Sequence, residues 1–382
     1  AARTFGRQRD ARAAADLEAL LFDRDPRVVI NAVRSLAQVR DSNLVTLCGP
    51  RPFLDVPPSA DPESLAQVFL FRTPDEWRTQ TLVATAQSLG ALGDRVTRWS
   101  TLNEPLCSAW LGHLSGDMAP GLEDVQAAFS ASHHLLLGHG MAVRAMRAAA
   151  PKIEVGIVLN VGPGTPATDS DADREAVRRH DMTDSGWFHD PLYFGTYPQE
   201  VIDFSGVKMP IESDDLKTIS EKLDWHGLNY YFPAKIGDDP TGDGARTTWN
   251  HIDGPKTDMG WGIDAGVMRD FLIKLKNHWK APKIYITENG SAWPDTVAAD
   301  GRIYDPEREA YLMGHLTAAA EALEAGVDLR GYFGWSLLDN YEWAYGYDKR
   351  FGYAYVDYAT QKRTIKESGR AFAKLIRASR AG

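Results

Sequence analysis

The stretch Lys283–Glu288 (KIYITE) decides the fold, because it is a short apolar run that ends on a carboxylate. The same pattern, an apolar run with polar residues at or near its end, recurs at Arg98–Glu104 (RWSTLNE), Ile153–Asn160 (IEVGIVLN), Leu223–Tyr231 (LDWHGLNYY) and Leu329–Leu337 (LRGYFGWSL). Helical patterns lie between or after these runs, at about Leu122–Ala149, Ile263–Trp279, Pro306–Ala325 and Ile365–Arg380. Strands that alternate with helices predict an α/β fold whose parallel strands are joined by right-handed crossovers.

The polar residues collect at the C-terminal ends of the predicted strands, at Asn103, Glu104, Asn160, Asn229 and Glu288. In a (β/α)8 TIM barrel this end carries the active site, because the strand ends converge there beneath the loops. An open, doubly wound sheet also places polar groups at strand ends. Such a sheet normally carries a Gly-rich phosphate loop after its first strand, and neither GxGxxG nor GxxxxGK[ST] occurs here. A barrel is therefore the prediction.

The first hundred residues fit a barrel less well. From Asn43 onward the sequence offers six strand candidates, if Asn43–Cys48 (NLVTLC) is counted as one of them. A closed barrel of this type needs about eight strands. We therefore expect a (β/α)8-type fold that is incomplete or altered in its first two to three βα units.

The composition narrows the class of protein. The 382 residues include 42 Lys and Arg against 52 Asp and Glu, so the net charge is −10, and 43% of the residues are hydrophobic. These proportions are typical of a globular protein. The acidic balance argues against a nucleic-acid partner, since binding to a phosphate backbone requires clustered Lys and Arg. The chain has no apolar run of about twenty residues, so we expect no membrane partner.

The cysteines indicate where in the cell the protein is located, and the histidines indicate whether it binds a metal ion. The segment Ala1–Arg7 is positively charged but has no apolar core behind it, unlike a secretory signal. Cys48 and Cys107 are too few for a disulfide scaffold, so we expect a cytoplasmic protein. His133, His134 and His139 fall on one predicted helix without a carboxylate or thiol in register, which indicates core or surface residues. We expect no metal site and no cofactor.

Two glutamates at strand ends carry the chemistry. Glu104 lies in Thr101–Pro105 (TLNEP) and Glu288 in Ile286–Gly290 (ITENG), 184 residues further along the chain. One glutamate at a strand end is most often a surface or ion-paired residue. Two of them, each next to an asparagine and each on a barrel-type strand, point to glycoside hydrolysis. That reaction needs one carboxylic acid to protonate the leaving oxygen and one carboxylate to attack the anomeric carbon or activate water.

From about Gly93 to its end, the sequence resembles the family 1 glycoside hydrolases, which are retaining β-glucosidases and β-galactosidases. TLNEP resembles the acid/base motif of that family and ITENG its nucleophile signature. Further matches follow in the family's order at Asp190–Pro198 (DPLYFGTYP), Gly227–Tyr231 (GLNYY), Met259–Trp261 (MGW), Gly334–Trp343 (GWSLLDNYEW) and Phe351–Asp357 (FGYAYVD). The resemblance covers about three quarters of the chain.

The resemblance implies a role for each matching residue. Glu104 would be the acid/base and Glu288 the nucleophile of a double displacement, with about 5–5.5 Å between the two carboxyl groups. Asn103 would bind the hydroxyl next to the anomeric carbon, and the Tyr231 hydroxyl would orient Glu288. The remaining substrate-binding residues would be Asn229 beside Tyr231, Trp335 under the glycone ring, Glu342 and Trp343 at its outer hydroxyls, and Trp261 and Phe351 in the pocket lining.

The Glu342 carboxylate also bears on the substrate, because it would repel a phosphate dianion. The resemblance therefore implies an unphosphorylated substrate, a small-molecule β-glycoside or a cello-oligosaccharide. Glucose, galactose and fucose stay open as the glycone.

The resemblance ends in the N-terminal part of the chain. Residues 1–75 lack the early family elements, which are a Gln-x-Glu-Gly element, a Ser-Trp-x-Arg element and a His-Trp-Asp strand end. We expect one domain over residues 1–382, with an atypical segment at 1–75 and a family-like region at 76–382. Two functions follow from this. One is a retaining β-glycosidase, and the alternative is a truncated, catalytically impaired or inactive relative that at most binds sugars.

Overall fold

The structure is a computed structural model that describes residues 96–381 except Asp243. The predicted strand at Asn43–Cys48 and the atypical segment 1–75 lie outside the described residues. The chain divides into two compact units. Within the described residues, the first unit comprises 96–157 and 207–224, and the second comprises 158–206 and 225–381.

The described elements follow one another in an α/β order. The strands are β1 (Arg98–Asn103), β2 (Glu154–Val161), β3 (Gly164–Pro166), β4 (Trp225–Tyr230), β5 (Ala234–Asp238), β6 (Thr247–His251), β7 (Lys283–Asn289), β8 (Leu329–Gly334), β9 (Ala354–Val356) and β10 (Arg363–Ile365). The helices are α1 (Val125–Ala149), α2 (Asp171–Asp181), α3 (Trp187–Tyr193), α4 (Gln199–Ser205), α5 (Asp215–Ile219), α6 (Ala265–Asn277), α7 (Pro306–Glu324) and α8 (Glu367–Ala381). Short π-helices cover Cys107–Leu111 and Met182–Gly186, and a 3₁₀ turn covers Trp343–Tyr345.

The first unit is built around the long helix α1. The Asp124 side chain caps its first turn by accepting a hydrogen bond from the Ala127 amide at 2.9 Å. The helix packs closely on α5, since a Cβ added to Gly140 would lie 1.9 Å from the Thr218 carbonyl oxygen. β1 lies beside the start of β2, where the Glu154 amide donates to the Thr97 carbonyl.

The three histidines of α1, His133, His134 and His139, are buried or half-buried in the first unit. His133 is buried, with Nε2 3.1 Å from a carboxylate oxygen of Asp215, and His139 is buried with Nδ1 2.5 Å from the Thr101 hydroxyl. Burial lowers the pKa of His139 to about 3, so this ring is neutral at pH 7. His134 is half-buried, and its Nδ1 lies 2.7 Å from the Ser130 carbonyl oxygen. Among the described residues, no cluster of side chains is arranged to hold a metal ion.

The second unit contains the parallel strands β4, β7 and β8, with β7 in the middle. Every residue of β4 is buried, as expected for a strand that is covered on both faces. The core combines strand residues with residues of α6 and α7, among them Leu228, Ile286, Leu272, Ala318 and Ala322. A second, smaller sheet in the order β3, β5, β6 packs on α2 through Ala234 and Ile236.

These elements confirm the predicted α/β fold and its parallel sheet. The predicted runs correspond to β1, β2, β4, β7 and β8, with ends that differ by at most three residues. The sheet β3-β5-β6, the pair β9-β10 and helices α2 to α5 were not predicted. Among the described residues, no helix is both long enough and apolar enough to span a bilayer.

Buried ion pairs join the loops that follow β7 and β8 to two helices of the second unit. The Arg308 guanidinium, near the start of α7, donates to Asp295 at 2.8 Å and also pairs with Asp305. The Lys366 ammonium, just before α8, donates to Asp295 at 2.5 Å and to Asp339 at 2.7 Å. All five side chains are at most 1% exposed, so each charge depends on the others for its solvation.

We expect Asp339→Asn to lower the free energy of unfolding by about 3–5 kcal/mol, because it removes one of the two carboxylates that pair with the buried Lys366 ammonium. Arg350 also pairs with Asp339, at 2.6 Å, so two cations are affected. Denaturant unfolding of the purified variant measures the loss. The matched control is Glu321→Gln, which removes one charge from the exposed Arg269–Glu321 pair and should cost at most about 1 kcal/mol. Equal losses in the two variants would contradict the account of the buried cluster.

Candidate active site

Glu288 stands near the end of β7, and its carboxylate is held from the neighbouring strand. The Tyr231 hydroxyl donates to Oε2 of Glu288 at 2.6 Å. Tyr231 directly follows β4, and the parallel pairing of β4 with β7 places Asn229 opposite Glu288. The contact predicted between Tyr231 and Glu288 is therefore present, and it results from the shared C-terminal edge of two adjacent strands.

Three residues that the sequence analysis did not single out hold Tyr231 in place. The Asn289 side-chain amide donates to the Tyr230 carbonyl at 2.7 Å and to the Tyr311 hydroxyl at 3.0 Å. The Tyr311 hydroxyl donates to the Tyr231 carbonyl at 2.9 Å, and the Tyr332 hydroxyl donates to Oδ1 of Asn289 at 2.6 Å. Burial raises the pKa of Tyr311 and of Tyr332 above the ordinary tyrosine value, so both hydroxyls remain donors.

Asn229 is completely buried beneath this edge. The Thr287 hydroxyl donates to Oδ1 of Asn229 at 2.6 Å, which fixes the orientation of the amide. A substrate-binding role for Asn229 therefore stays a prediction.

Aromatic rings surround the Tyr231 side chain. The Trp261 ring centroid lies 5.4 Å from that of Tyr231, and the Phe351 centroid lies 6.2 Å from it. Trp261 and Phe351 are 6.0 Å apart, so the three rings contact one another. Phe351 is buried, whereas Trp261 keeps part of its surface exposed. The structure thus packs Trp261 and Phe351 against Tyr231, whose hydroxyl contacts Glu288, and the substrate-binding roles of these residues stay predictions.

The loop after β8 returns to the end of β7 at Trp335. The Trp335 amide donates to the Asn289 carbonyl at 2.9 Å, and the peptide between Trp335 and Ser336 is cis. Gly290 makes the close approach possible, because a Cβ at this position would lie 1.8 Å from the Trp335 carbonyl oxygen. Trp335 therefore lies next to the strand end that carries Glu288.

The same loop positions Glu342 through residues that were not predicted. The Ser336 hydroxyl donates to Oδ1 of Asn340 at 3.1 Å, and the Asn340 amide donates to Oε2 of Glu342 at 2.9 Å. Trp343 follows with a side chain that is 52% exposed and a φ of 46°. An exposed indole beside an oriented carboxylate suits the binding of a sugar, which offers both C–H faces and hydroxyls.

Glu104 belongs to the first unit and directly follows β1. Its φ of 49° lies in the left-handed region, which costs a non-glycine residue about 1–2 kcal/mol. Residues held in such conformations concentrate at functional sites. The Cys107 thiol donates to Oε2 of Glu104 at 3.3 Å, and the Cys107 amide donates to the Glu104 carbonyl at 3.0 Å. Asn103 is the exposed last residue of β1.

The chain is similar to known proteins over the region that contains these residues. The sequence model of glycosyl hydrolase family 1 matches residues 84–381. Beta-glucosidase A of Thermotoga maritima is 44% identical over 287 residues, which are 75% of this chain and 64% of the relative. A beta-glucosidase of an Agrobacterium species is 43% identical over 291 residues, with 75% and 63% covered. The chain therefore spans less than two thirds of the length of these curated relatives.

The fold is shared with a solved structure. The beta-glucosidase from Thermotoga maritima in complex with glucoimidazole superposes with a TM-score of 0.73 at 41% identity, covering 80% of this chain and 68% of that one. This match confirms the predicted (β/α)8 TIM-barrel type of fold. The predicted alteration of the first βα units falls outside the described residues.

We expect Gly290→Ala to lower the melting temperature strongly. The added Cβ would overlap the Trp335 carbonyl oxygen and force the backbone at Gly290 or at Trp335 to move. Gly314→Ala is the matched control, because a Cβ at this position of α7 would meet nothing within 4 Å. That control should be neutral or stabilising by up to about 1 kcal/mol. Thermal unfolding followed by circular dichroism measures both variants. A Gly290→Ala variant as stable as Gly314→Ala would refute the close approach.

Proposed function

The chain belongs to glycosyl hydrolase family 1, and we propose that it is a retaining β-glycosidase of the β-glucosidase type. The observation that carries the proposal is the Glu288 carboxylate, which the Tyr231 hydroxyl orients, while the Trp261 and Phe351 rings pack against Tyr231 and the Trp335 amide binds the carbonyl of the neighbouring Asn289. The family match over residues 84–381 supports the assignment. The proposed substrates are unphosphorylated β-glycosides, either small molecules or cello-oligosaccharides.

In the proposed reaction Glu288 attacks the anomeric carbon while Glu104 gives its proton to the leaving oxygen. The bond to the leaving group breaks as the bond to Glu288 forms, which gives a covalent glycosyl ester. Glu104, now ionised, takes a proton from water, and the water oxygen displaces Glu288 from the anomeric carbon. Two displacements at one carbon restore the starting configuration. Asn103 would bind the hydroxyl next to that carbon, where hydrogen bonds strengthen in the transition state.

The loop after β8 would bind the rest of the glycone. Trp335 would lie under the sugar ring, and Glu342 and Trp343 would contact its outer hydroxyls. The Asn340–Glu342 hydrogen bond supports this proposal, because an oriented carboxylate can accept hydrogen bonds from two adjacent hydroxyls. The same negative charge disfavours a phosphorylated sugar.

Two further parts of the proposal rest on the sequence. A role in carbohydrate metabolism follows from the proposed substrate class. The proposed cytoplasmic location rests on the presence of only two cysteines in 382 residues.

Hydrolysis of an aryl β-glucoside tests the proposed activity. We expect Glu288→Ala to reduce turnover by at least about a thousandfold, since the variant lacks the proposed nucleophile. Added azide should restore product formation in this variant and give a glycosyl azide of inverted configuration, because one displacement replaces two. Glu321→Ala, which removes an exposed glutamate, should leave turnover unchanged. A chain that binds β-glucosides but hydrolyses none would instead support the alternative, a catalytically impaired relative.

The contact between Tyr231 and Glu288 gives a separate prediction. A hydrogen bond to a charged group contributes about 1.5–3 kcal/mol, so Tyr231→Phe should lower kcat/KM by about 10- to 100-fold. Single-turnover kinetics with an aryl β-glucoside should assign the loss to formation of the glycosyl ester. Tyr304→Phe is the control, because it removes an exposed hydroxyl that donates to Asp300. A Tyr231→Phe variant with unchanged kinetics would contradict the orienting role.

A further inference from the structure

A row of aromatic side chains runs from Tyr231 to the strand β6. We call Tyr231, Trp261, Phe232, Trp249 and His251 the aromatic row. The Trp261 and Phe232 ring centroids are 4.8 Å apart, and Phe232 lies 6.3 Å from Trp249 and 5.5 Å from His251. Since Tyr231 is hydrogen-bonded to Glu288, the aromatic row begins at the candidate nucleophile and continues onto a different sheet.

Trp249 is the exposed end of the aromatic row. It lies on β6, which is an edge strand of the sheet β3-β5-β6, and 47% of its surface is exposed. Strand side chains alternate, so Trp249 and His251 project from one face of β6. The His251 ring meets the Trp249 ring edge-on, with centroids 4.7 Å apart. The indole is thus fixed by two neighbouring rings while much of its surface remains in solvent.

Core packing does not account for this position. The buried cluster of the smaller sheet consists of Ala234 and Ile236 with Ala176, and Trp249 is not part of it. An apolar ring that packs against neighbouring rings and stays exposed at the end of an aromatic surface is characteristic of a binding site.

The surroundings favour an uncharged ligand. Lys235, on the adjacent strand β5, is paired with Asp253 at 2.6 Å, so its charge is compensated. Burial, and then the charge of Lys256, lowers the pKa of His251 below the ordinary histidine value, so this ring is neutral at pH 7. A neutral, flat ligand with apolar C–H faces fits such a surface, and a pyranose ring in a β-linked chain has this shape.

We propose that Trp249 forms a distal subsite, where its indole stacks on a sugar ring in the leaving-group part of a β-linked gluco-oligosaccharide. This inference rests on the proposed function, because it places the glycone at Trp335, Glu342 and Trp343 and the leaving group along the aromatic row. Trp261 and Phe232 lie between Glu288 and Trp249, so the ring on Trp249 lies beyond the sugar that carries the scissile oxygen. The subsite therefore selects chains of three or more sugars over cellobiose and aryl glucosides.

Kinetics with substrates of increasing length test the subsite. Trp249→Ala should raise KM for cellotetraose about tenfold and leave kcat/KM for p-nitrophenyl β-glucoside unchanged. Trp249→Phe, which keeps a flat ring, should recover most of the affinity. Tyr304→Ala is the matched control, since Tyr304 has a comparable exposure of 54%. Equal losses on all substrates would indicate a structural role and overturn the inference, as would an effect confined to aryl glucosides.

A binding measurement separates this inference from the proposed activity. Calorimetric titration of cellotetraose into a Glu288→Gln variant should show an affinity about tenfold lower when Trp249 is also replaced by Ala. If the chain hydrolyses no glucoside but this difference is found, the proposed activity fails and the subsite stands. If hydrolysis occurs and binding does not depend on Trp249, or if cellotetraose does not bind, the subsite is refuted.

Discussion

The buried ion pairs of Arg308 and Lys366 with their carboxylates are the constraint on which the second unit depends. A charge removed from water is strongly destabilising when its partner is missing, so each member of this cluster depends on the others. Asp295 lies in the loop after β7 and Asp339 in the loop after β8, and both accept hydrogen bonds from Lys366. The two loops that border Glu288 are thereby tied to α7 and α8. Burial and the nearby Arg308 charge lower the pKa of Lys366, and the two carboxylates oppose that shift.

Backbone amides add to the contacts that hold Asp339 in the loop after β8. The carboxylate of Asp339 also accepts hydrogen bonds from the amides of Gly352 and Val356, which fixes the chain on both sides of Phe351. Next to Asp339, Asn340 connects Ser336 to Glu342. A ligand that contacted these groups would meet them already oriented, so binding energy would not be spent on ordering them. The same reasoning applies to the hydroxyls that fix Asn289 and Tyr231.

The sequence alone predicts those parts of the fold and of the site that depend on residues close together in the chain. Apolar runs that end on polar residues predict β1, β2, β4, β7 and β8, and the two strand-end glutamates suggest the chemistry without any structure. The contact between Tyr231 and Glu288 could be predicted only through the family resemblance. The smaller sheet escaped prediction, because β3 has three residues and β6 lacks an alternating apolar pattern.

Residues that act through tertiary contacts could not be recognised from the sequence. Arg308 and Lys366 resemble surface residues, since charged side chains are almost never fully buried unless they are paired. Tyr311 and Tyr332 lie on a helix and a strand without any motif, and only the packing brings their hydroxyls to Asn289 and Tyr231. Asn289 was visible within the ITENG motif, but its role depends on the neighbouring strand. Trp249 likewise becomes informative only beside Phe232 and His251.

Trapping the proposed covalent bond between Glu288 and the glycone tests the role of Glu288 most directly. A 2-deoxy-2-fluoro-β-glucoside with a good leaving group should form the glycosyl ester and hydrolyse it slowly, because the fluorine destabilises both transition states. Mass spectrometry of the digested protein should then find the added sugar on the peptide that contains Glu288, and on no other. Continued turnover of an aryl β-glucoside with no labelled peptide, or a label on a different carboxylate, would contradict the account.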